Sequence, residues 1–133
     1  MHLPRPVWAL LALLGWAGLV WAGIRWGVPA IIIAVVAGAF PDVALIGAFA
    51  EPGRLKPERV RFYNYLHVLP GPLALVAVGL AVFVITGAFE GGSFAVALVG
   101  FAWLVHIATD RAAGFGLRDA RGEILPVGAS SLG

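Results

Sequence analysis

The stretch from Val28 to Phe49 reads VPAIIIAVVAGAFPDVALIGAF, 22 residues in which Asp42 is the one charged side chain. A helix of roughly 20 residues crosses a hydrocarbon layer of about 30 Å, so this stretch has the length and character of a transmembrane segment. Three more apolar stretches lie near 7–24, 65–86 and 93–109. The sequence therefore predicts an all-α polytopic membrane protein, a single-domain antiparallel bundle of four transmembrane helices.

The composition supports a membrane protein and excludes several other classes. Hydrophobic residues make up 61% of the chain and charged residues 12%, whereas a soluble domain is about 45–50% apolar even with glycine counted. The chain has no cysteine, which excludes disulfides, thiolate metal sites and thiol nucleophiles. The charged residues flank apolar segments, so the lipid bilayer is the expected partner and nucleic acid is not.

The basic residues are divided unequally between the two ends of the predicted bundle. One end has Arg25 alone, and the other has Arg5, Arg54, Lys56, Arg59, Arg61, Arg111, Arg118 and Arg121. Because cytoplasmic loops retain positive charge, both termini are predicted to be cytoplasmic in a multi-pass protein of the bacterial inner (plasma) membrane. The basic middle loop is expected to contact anionic lipids. Residues 118–133 are expected to form a mobile tail.

Four ionisable side chains lie inside the predicted helices, near the same end. By helical rise, Asp42 is roughly 12 Å and His67 roughly 8 Å inside their segments. His106 and Asp110 are one helical turn apart in the fourth segment and reach the same level. A carboxylate in hydrocarbon costs about 2.5–3.5 kcal/mol or more, so its presence needs a reason. Imidazole and carboxylate groups bind zinc, manganese or iron, which predicts a divalent metal site.

Prolines adjoin two of these four residues. Pro41 precedes Asp42, and Pro70 and Pro72 follow His67. Because proline has no N–H, carbonyls one turn before each proline lose their helical donors and need water, an ion or a hydroxyl, such as that of Tyr63 or Tyr65. Residues near the metal ligands are candidates for supporting or substrate contacts: Tyr63, Asn64, Arg111 and Arg118.

Three segments also resemble a known family: FPDVALIG at 40–47, YNYLHVLP at 63–70 and WLVHIATDRAAGFGL at 103–117. They resemble an uncharacterised family of small bacterial four-helix integral membrane proteins, a domain of unknown function. The order Pro-Asp, His, His-x-x-x-Asp is more distantly similar to bacterial inner-membrane metal-dependent hydrolases. That similarity implies metal binding at the four positions named above. The hydrolases have an extra histidine around the middle motif, where this chain has Asn64 and Tyr65.

Three functions agree with these features. The first is a metal-binding membrane protein, with metal-dependent hydrolysis as its candidate activity. The second is a non-catalytic accessory subunit of a larger membrane complex, in which the polar cluster fixes helix register. Assembly into a homo-oligomer is the alternative to such a complex. The third, ranked last, is a haem-binding bundle with His67 and His106 as axial ligands. A purely structural alternative is that Asp42 forms a salt bridge with Arg61 or Arg111 and the histidines are neutral interface residues.

Overall fold

The computed structural model describes residues 2–128, and this part of the chain forms five α-helices. They are α1 (Arg5–Trp26), α2 (Val28–Ala39), α3 (Pro57–Leu66), α4 (Pro70–Ile85) and α5 (Ala95–Ala113). A 3₁₀ helix, Phe40–Leu45, continues α2, and a second one, Ala88–Glu90, precedes α5. Strands β1 (Phe49–Glu51) and β2 (Arg54–Leu55) form an antiparallel hairpin before α3.

Four helical stretches are long and apolar enough to cross a membrane: Arg5–Trp26, Val28–Leu45, Pro57–Ile85 and Ala95–Ala113. Large apolar side chains such as Leu13, Ile24 and Ile85 point outwards from them. A water-soluble protein rarely exposes apolar surface so extensively, whereas a bilayer covers it. The predicted all-α bundle of four membrane spans is confirmed.

Helix α5 is the central helix of the bundle and packs against α1, α2 and α4. Glycines allow the closest of these contacts, because membrane helices gain little from hydrophobic burial and rely on near backbone approach. A Cβ atom added to Gly79 of α4 would collide with the backbone of Ala97. One added to Gly100 of α5 would lie 2.7 Å from the amide nitrogen of Val76. The α4–α5 contact therefore requires both glycines.

The third span differs from the predicted continuous segment at 65–86. It begins earlier, at Pro57, and is interrupted between Leu66 and Pro70. Proline is tolerated in the first turn of a helix but not in its interior, so Pro70 and Pro72 start α4 instead of continuing α3. The interruption leaves His67 as the C-terminal cap of α3, with φ −114° and ψ 13°.

A cap covers the end of the bundle at which α3 begins. It consists of the hairpin, α3 and residues 115–128. The backbone N–H of Leu55 donates to the carbonyl of Gly122 at 3.1 Å, and that of Leu125 donates to Leu117 at 2.8 Å. The segment predicted to be a tail thus makes defined contacts as far as Val127, and residues 129–133 lie outside the described residues.

Replacing either contact glycine by alanine is expected to destabilise the bundle. Gly79→Ala and Gly100→Ala should each cost about 1–3 kcal/mol through overpacking. Thermal unfolding in a mild detergent measures the effect. Gly38→Ala is the matched control, because its new Cβ would have 4.0 Å to its nearest neighbour, the carbonyl oxygen of Ala102. Equal melting temperatures for all three variants would contradict the packing account.

Candidate metal centre

Three separate elements supply the four ionisable side chains predicted to meet. Asp42 lies in the 3₁₀ helix that continues α2, and His67 caps α3. His106 and Asp110 lie one turn apart on α5, so both project from the same face of that helix. Two of the four residues are therefore placed by interruptions in regular α-helix, each associated with a neighbouring proline.

The four side chains converge at one end of the bundle, as predicted. One ligand atom from each lies within 4.8 Å of all the others. The Nε2 atoms of His67 and His106 are 3.4 Å apart. Asp110 Oδ2 is 3.4 Å from His67 Nε2 and 3.3 Å from His106 Nε2. Asp42 Oδ1 is 3.9 Å from His67 Nε2 and 3.5 Å from His106 Nε2.

Burial decreases steadily across this Asp/His cluster. The side chain of His67 is 1% exposed and that of His106 10%, whereas Asp110 is 23% and Asp42 53% exposed. The histidines therefore form the inner wall, and the aspartates lie towards the opening. Among the described residues, the ionic partners of both aspartates are these histidines, rather than Arg61 or Arg111 as in the structural alternative.

The backbone fixes which nitrogen of His67 carries a proton when the ring is neutral. His67 Nδ1 lies 2.8 Å from the carbonyl oxygen of Tyr63, and because that oxygen can only accept, Nδ1 donates. A neutral ring then presents the lone pair of Nε2 to the carboxylates. These are also acceptors, so a neutral His67 has no hydrogen to share between its Nε2 and either carboxylate.

The distances between the four side chains fit a metal ion bound by all of them better than they fit hydrogen bonds between them. Charge-assisted hydrogen bonds from nitrogen to a carboxylate are about 2.7–2.9 Å long, whereas the four His–Asp distances run from 3.3 to 3.9 Å. A tetrahedral site with metal–ligand bonds of about 2.0–2.2 Å has ligand–ligand separations of roughly 3.3–3.6 Å. Of the five separations that involve an Nε2 atom, the one between His67 and Asp42 is longer than this range.

Of the four residues predicted to support the ligands, two contact His67 and two join α3 to the rest of the cap. The ring of Tyr63 stacks on the imidazole at 4.0 Å between centroids. Arg111 donates to the carbonyl of His67 at 2.8 Å. Asn64 exchanges two hydrogen bonds with the backbone of Arg118, both 2.8 Å long, and the Arg118 guanidinium donates to the carbonyls of Gly53 and Gly122. These contacts position the α3–α4 break and join α3 to the hairpin and to residues 115–128 of the cap.

Trp103 is an important residue that the sequence reasoning missed. Its indole N–H donates to the carbonyl of Leu66 at 2.7 Å, which is the carbonyl that Pro70 leaves without a helical donor. The expected hydroxyls do not fill this role, since Tyr63 donates to Gly116 and Tyr65 is exposed. The available signal was the position of Trp103 on α5, one turn before His106.

The fold and the Asp/His cluster together define a class: small multi-pass helical proteins with two aspartates and two histidines gathered at one end of the bundle. Within it, the chain belongs to the DUF4260 family, a domain of unknown function, which it matches over residues 7–123. The predicted resemblance to an uncharacterised four-helix family is confirmed. No curated protein and no solved structure matches the chain, and nothing supports the more distant similarity to metal-dependent hydrolases.

Removing the indole donor of Trp103 is expected to destabilise the helix break. In Trp103→Phe the aromatic ring is kept, but the Leu66 carbonyl loses its partner, which should cost about 1–3 kcal/mol. Unfolding in detergent, followed by circular dichroism, measures this cost. Trp21→Phe is the control, because Trp21 is exposed and its N–H has no hydrogen-bond partner within residues 2–128. A loss no greater than that of the control would show that the bond is dispensable.

Proposed function

We propose that the Asp/His cluster binds one divalent cation of the zinc, manganese or iron(II) class. The observation that carries this proposal is the mutual spacing of the two Nε2 atoms and two carboxylate oxygens, within 4.8 Å of one another. Metal ligation requires ionised carboxylates and neutral imidazoles, and in that form the four ligands would have a net charge of −2. A divalent cation offsets that charge, which lowers the cost of placing carboxylates in a low-dielectric bundle.

The chemistry that best suits such a site is hydrolysis. A bound divalent cation lowers the pKa of a coordinated water to about 7 and polarises a carbonyl or phosphoryl oxygen. Asp42 is the most exposed member of the cluster and has the longest separation from His67. This position makes it the ligand with most freedom to move, and the carboxylate best placed to accept a proton from an entering water.

The positions of the carboxylates argue against haem as the occupant. Two axial histidines bind iron from opposite faces of a porphyrin, whose plane lies between them. Here, Asp110 and Asp42 oxygens lie within 3.9 Å of both Nε2 atoms and occupy that intervening space. His67 is also almost completely buried against Tyr63, which leaves no room for a macrocycle on that side.

We further propose that the cap faces the cytoplasm of a bacterial cell and that the chain lies in the plasma membrane. Arg5 contacts the end of α5 and Arg118 lies within the cap, whereas Arg25 bonds to Phe89 at the opposite end. The basic residues therefore gather at the capped end, as the positive-inside rule requires of a cytoplasmic face. Arg61, near the start of the third span, is exposed, and we expect it to contact anionic headgroups.

Metal analysis of the purified protein tests the site. Protein prepared with a tag other than polyhistidine should contain about one divalent metal per chain. His106→Ala and Asp110→Asn should reduce this content at least tenfold, by the usual effect of losing a ligand. His2→Ala is the matched control, because His2 is exposed and distant from the cluster in sequence.

The Asp42→Asn variant should fold normally, since the side chain of Asp42 lies mostly outside the packed interior. It should elute from size exclusion like the wild type and bind metal more weakly. Wild-type protein without stoichiometric metal, even after incubation with zinc, manganese and iron(II), would contradict the proposal. Full membrane assembly with a fixed partner in a variant lacking all four side chains would favour an accessory subunit.

Reporter fusions test the orientation. Green fluorescent protein attached to the C-terminus should fluoresce in a bacterial host, because it folds in the cytoplasm. Alkaline phosphatase inserted in the turn between α4 and α5, after Gly91, should be active, because it requires the periplasm. The reciprocal fusions are the controls. Active phosphatase at the C-terminus together with a dark fluorescent reporter would reverse the topology.

A further inference from the structure

A groove of about 800 Å³ runs between α1, α2 and α5 and ends at the Asp/His cluster. Its volume is within the range of small-molecule sites. Asp42, His106 and Asp110 line one end. The other end is aliphatic and is lined by residues such as Ile24 and Ile31. The groove is thus amphiphilic along its length, polar where it meets the cluster and apolar elsewhere.

Small residues make the groove deep rather than a shallow seam between helices. Ala34 and Gly38 of α2 and Ala102 of α5 contribute to its lining. The space in front of Gly38 is open, since its nearest neighbour for an added Cβ is 4.0 Å away. Trp16 lies at the polar end, where its indole N–H donates to the hydroxyl of Thr109 at 3.1 Å.

The length of the groove matches one leaflet of a bilayer. From Ile31 to Asp42 the helical rise amounts to roughly 16 Å, and half of a hydrocarbon layer is about 15 Å. Its open side is bordered by the exposed side chains of Val20 and Val35, on the apolar surface that the bilayer covers. A lipid chain can therefore enter sideways, without leaving the membrane.

When the end of α5 is placed at the outer edge of the interfacial layer, the cluster lies near the level of a lipid's ester bonds. Asp110 and His106 lie three and seven residues before the end of α5 at Ala113, which is roughly 5 and 10 Å of helical rise. The interfacial layer on each side of the hydrocarbon is about 5–7 Å thick. Ester linkages lie at the inner border of that layer, whereas headgroup phosphates lie further out.

We propose that the groove binds an acyl chain of a membrane lipid and presents its ester bond to the Asp/His cluster. The inference has two parts. Binding of the acyl chain is argued from the groove alone, whereas hydrolysis of the ester rests on the proposed function. In the reaction, water adds its oxygen to the acyl carbon and the bond from that carbon to the alcohol oxygen breaks. The alcohol oxygen takes a proton from the water, which gives a fatty acid and a lysolipid.

Native mass spectrometry of delipidated, zinc-loaded protein tests the binding part. With dioleoyl phosphatidylglycerol as the probe, the wild type should retain one lipid per chain. Ala34→Phe fills the groove about 12 Å from Asp42 by helical rise, and should weaken lipid retention at least tenfold without loss of zinc. Val35→Trp is a second groove variant. Ala81→Phe is the matched control, because Ala81 is exposed on α4.

Release of oleate from the same lipid tests the chemical part. The wild type should release it, Ala34→Phe should release at least tenfold less, and Asp42→Asn should still retain the lipid but release none. Equal lipid retention by the wild type and both groove variants overturns the inference, whatever the zinc content. If the protein binds no metal but still retains the lipid selectively, the proposed function and the hydrolysis step are overturned. The acyl-chain site is then supported on its own.

Discussion

The break in the third membrane span is the constraint on which the rest of the structure depends. Inside a bilayer, a backbone carbonyl without a donor costs several kcal/mol, because no water is present to replace the missing bond. Pro70 creates such a carbonyl at Leu66, and the turn that follows exposes another at His67. Trp103 and Arg111, both from α5, donate to them. The central helix therefore stabilises the break that places His67 in the site.

The same stretch of α5 also supplies half of the cluster. Trp103, His106, Asp110 and Arg111 occupy little more than two helical turns and share contacts with the α3–α4 break. Structure and chemistry are thus coupled: the side chains that satisfy the backbone hold the imidazole of His67 in place. A cation at the centre of the cluster would add to this coupling, because it would bind α5, the break and the end of α2 together.

Much of the fold could be predicted from the sequence because the bilayer permits few solutions. Apolar stretches long enough to span it must be helical, and the positions of Asp42, His67, His106 and Asp110 at similar depth along the predicted spans imply that they meet. The break at His67 was not predicted, because Pro70 and Pro72 lie inside a span that was expected to be continuous over 65–86. The donors to the freed carbonyls could not be predicted, since they depend on how α5 is rotated against α3. The contacts of residues 118–128 with the hairpin also depend on tertiary packing that no local pattern encodes.

X-ray absorption at the zinc edge, on protein loaded with one zinc per chain, tests the central claim most directly. The account predicts a first shell of nitrogen and oxygen at about 2.0–2.2 Å, with outer-shell scattering from two imidazole rings. The imidazole signal should fall by half in His67→Ala. A shell of oxygens alone, or a spectrum unchanged by that substitution, would contradict the assignment of the Asp/His cluster as the metal site.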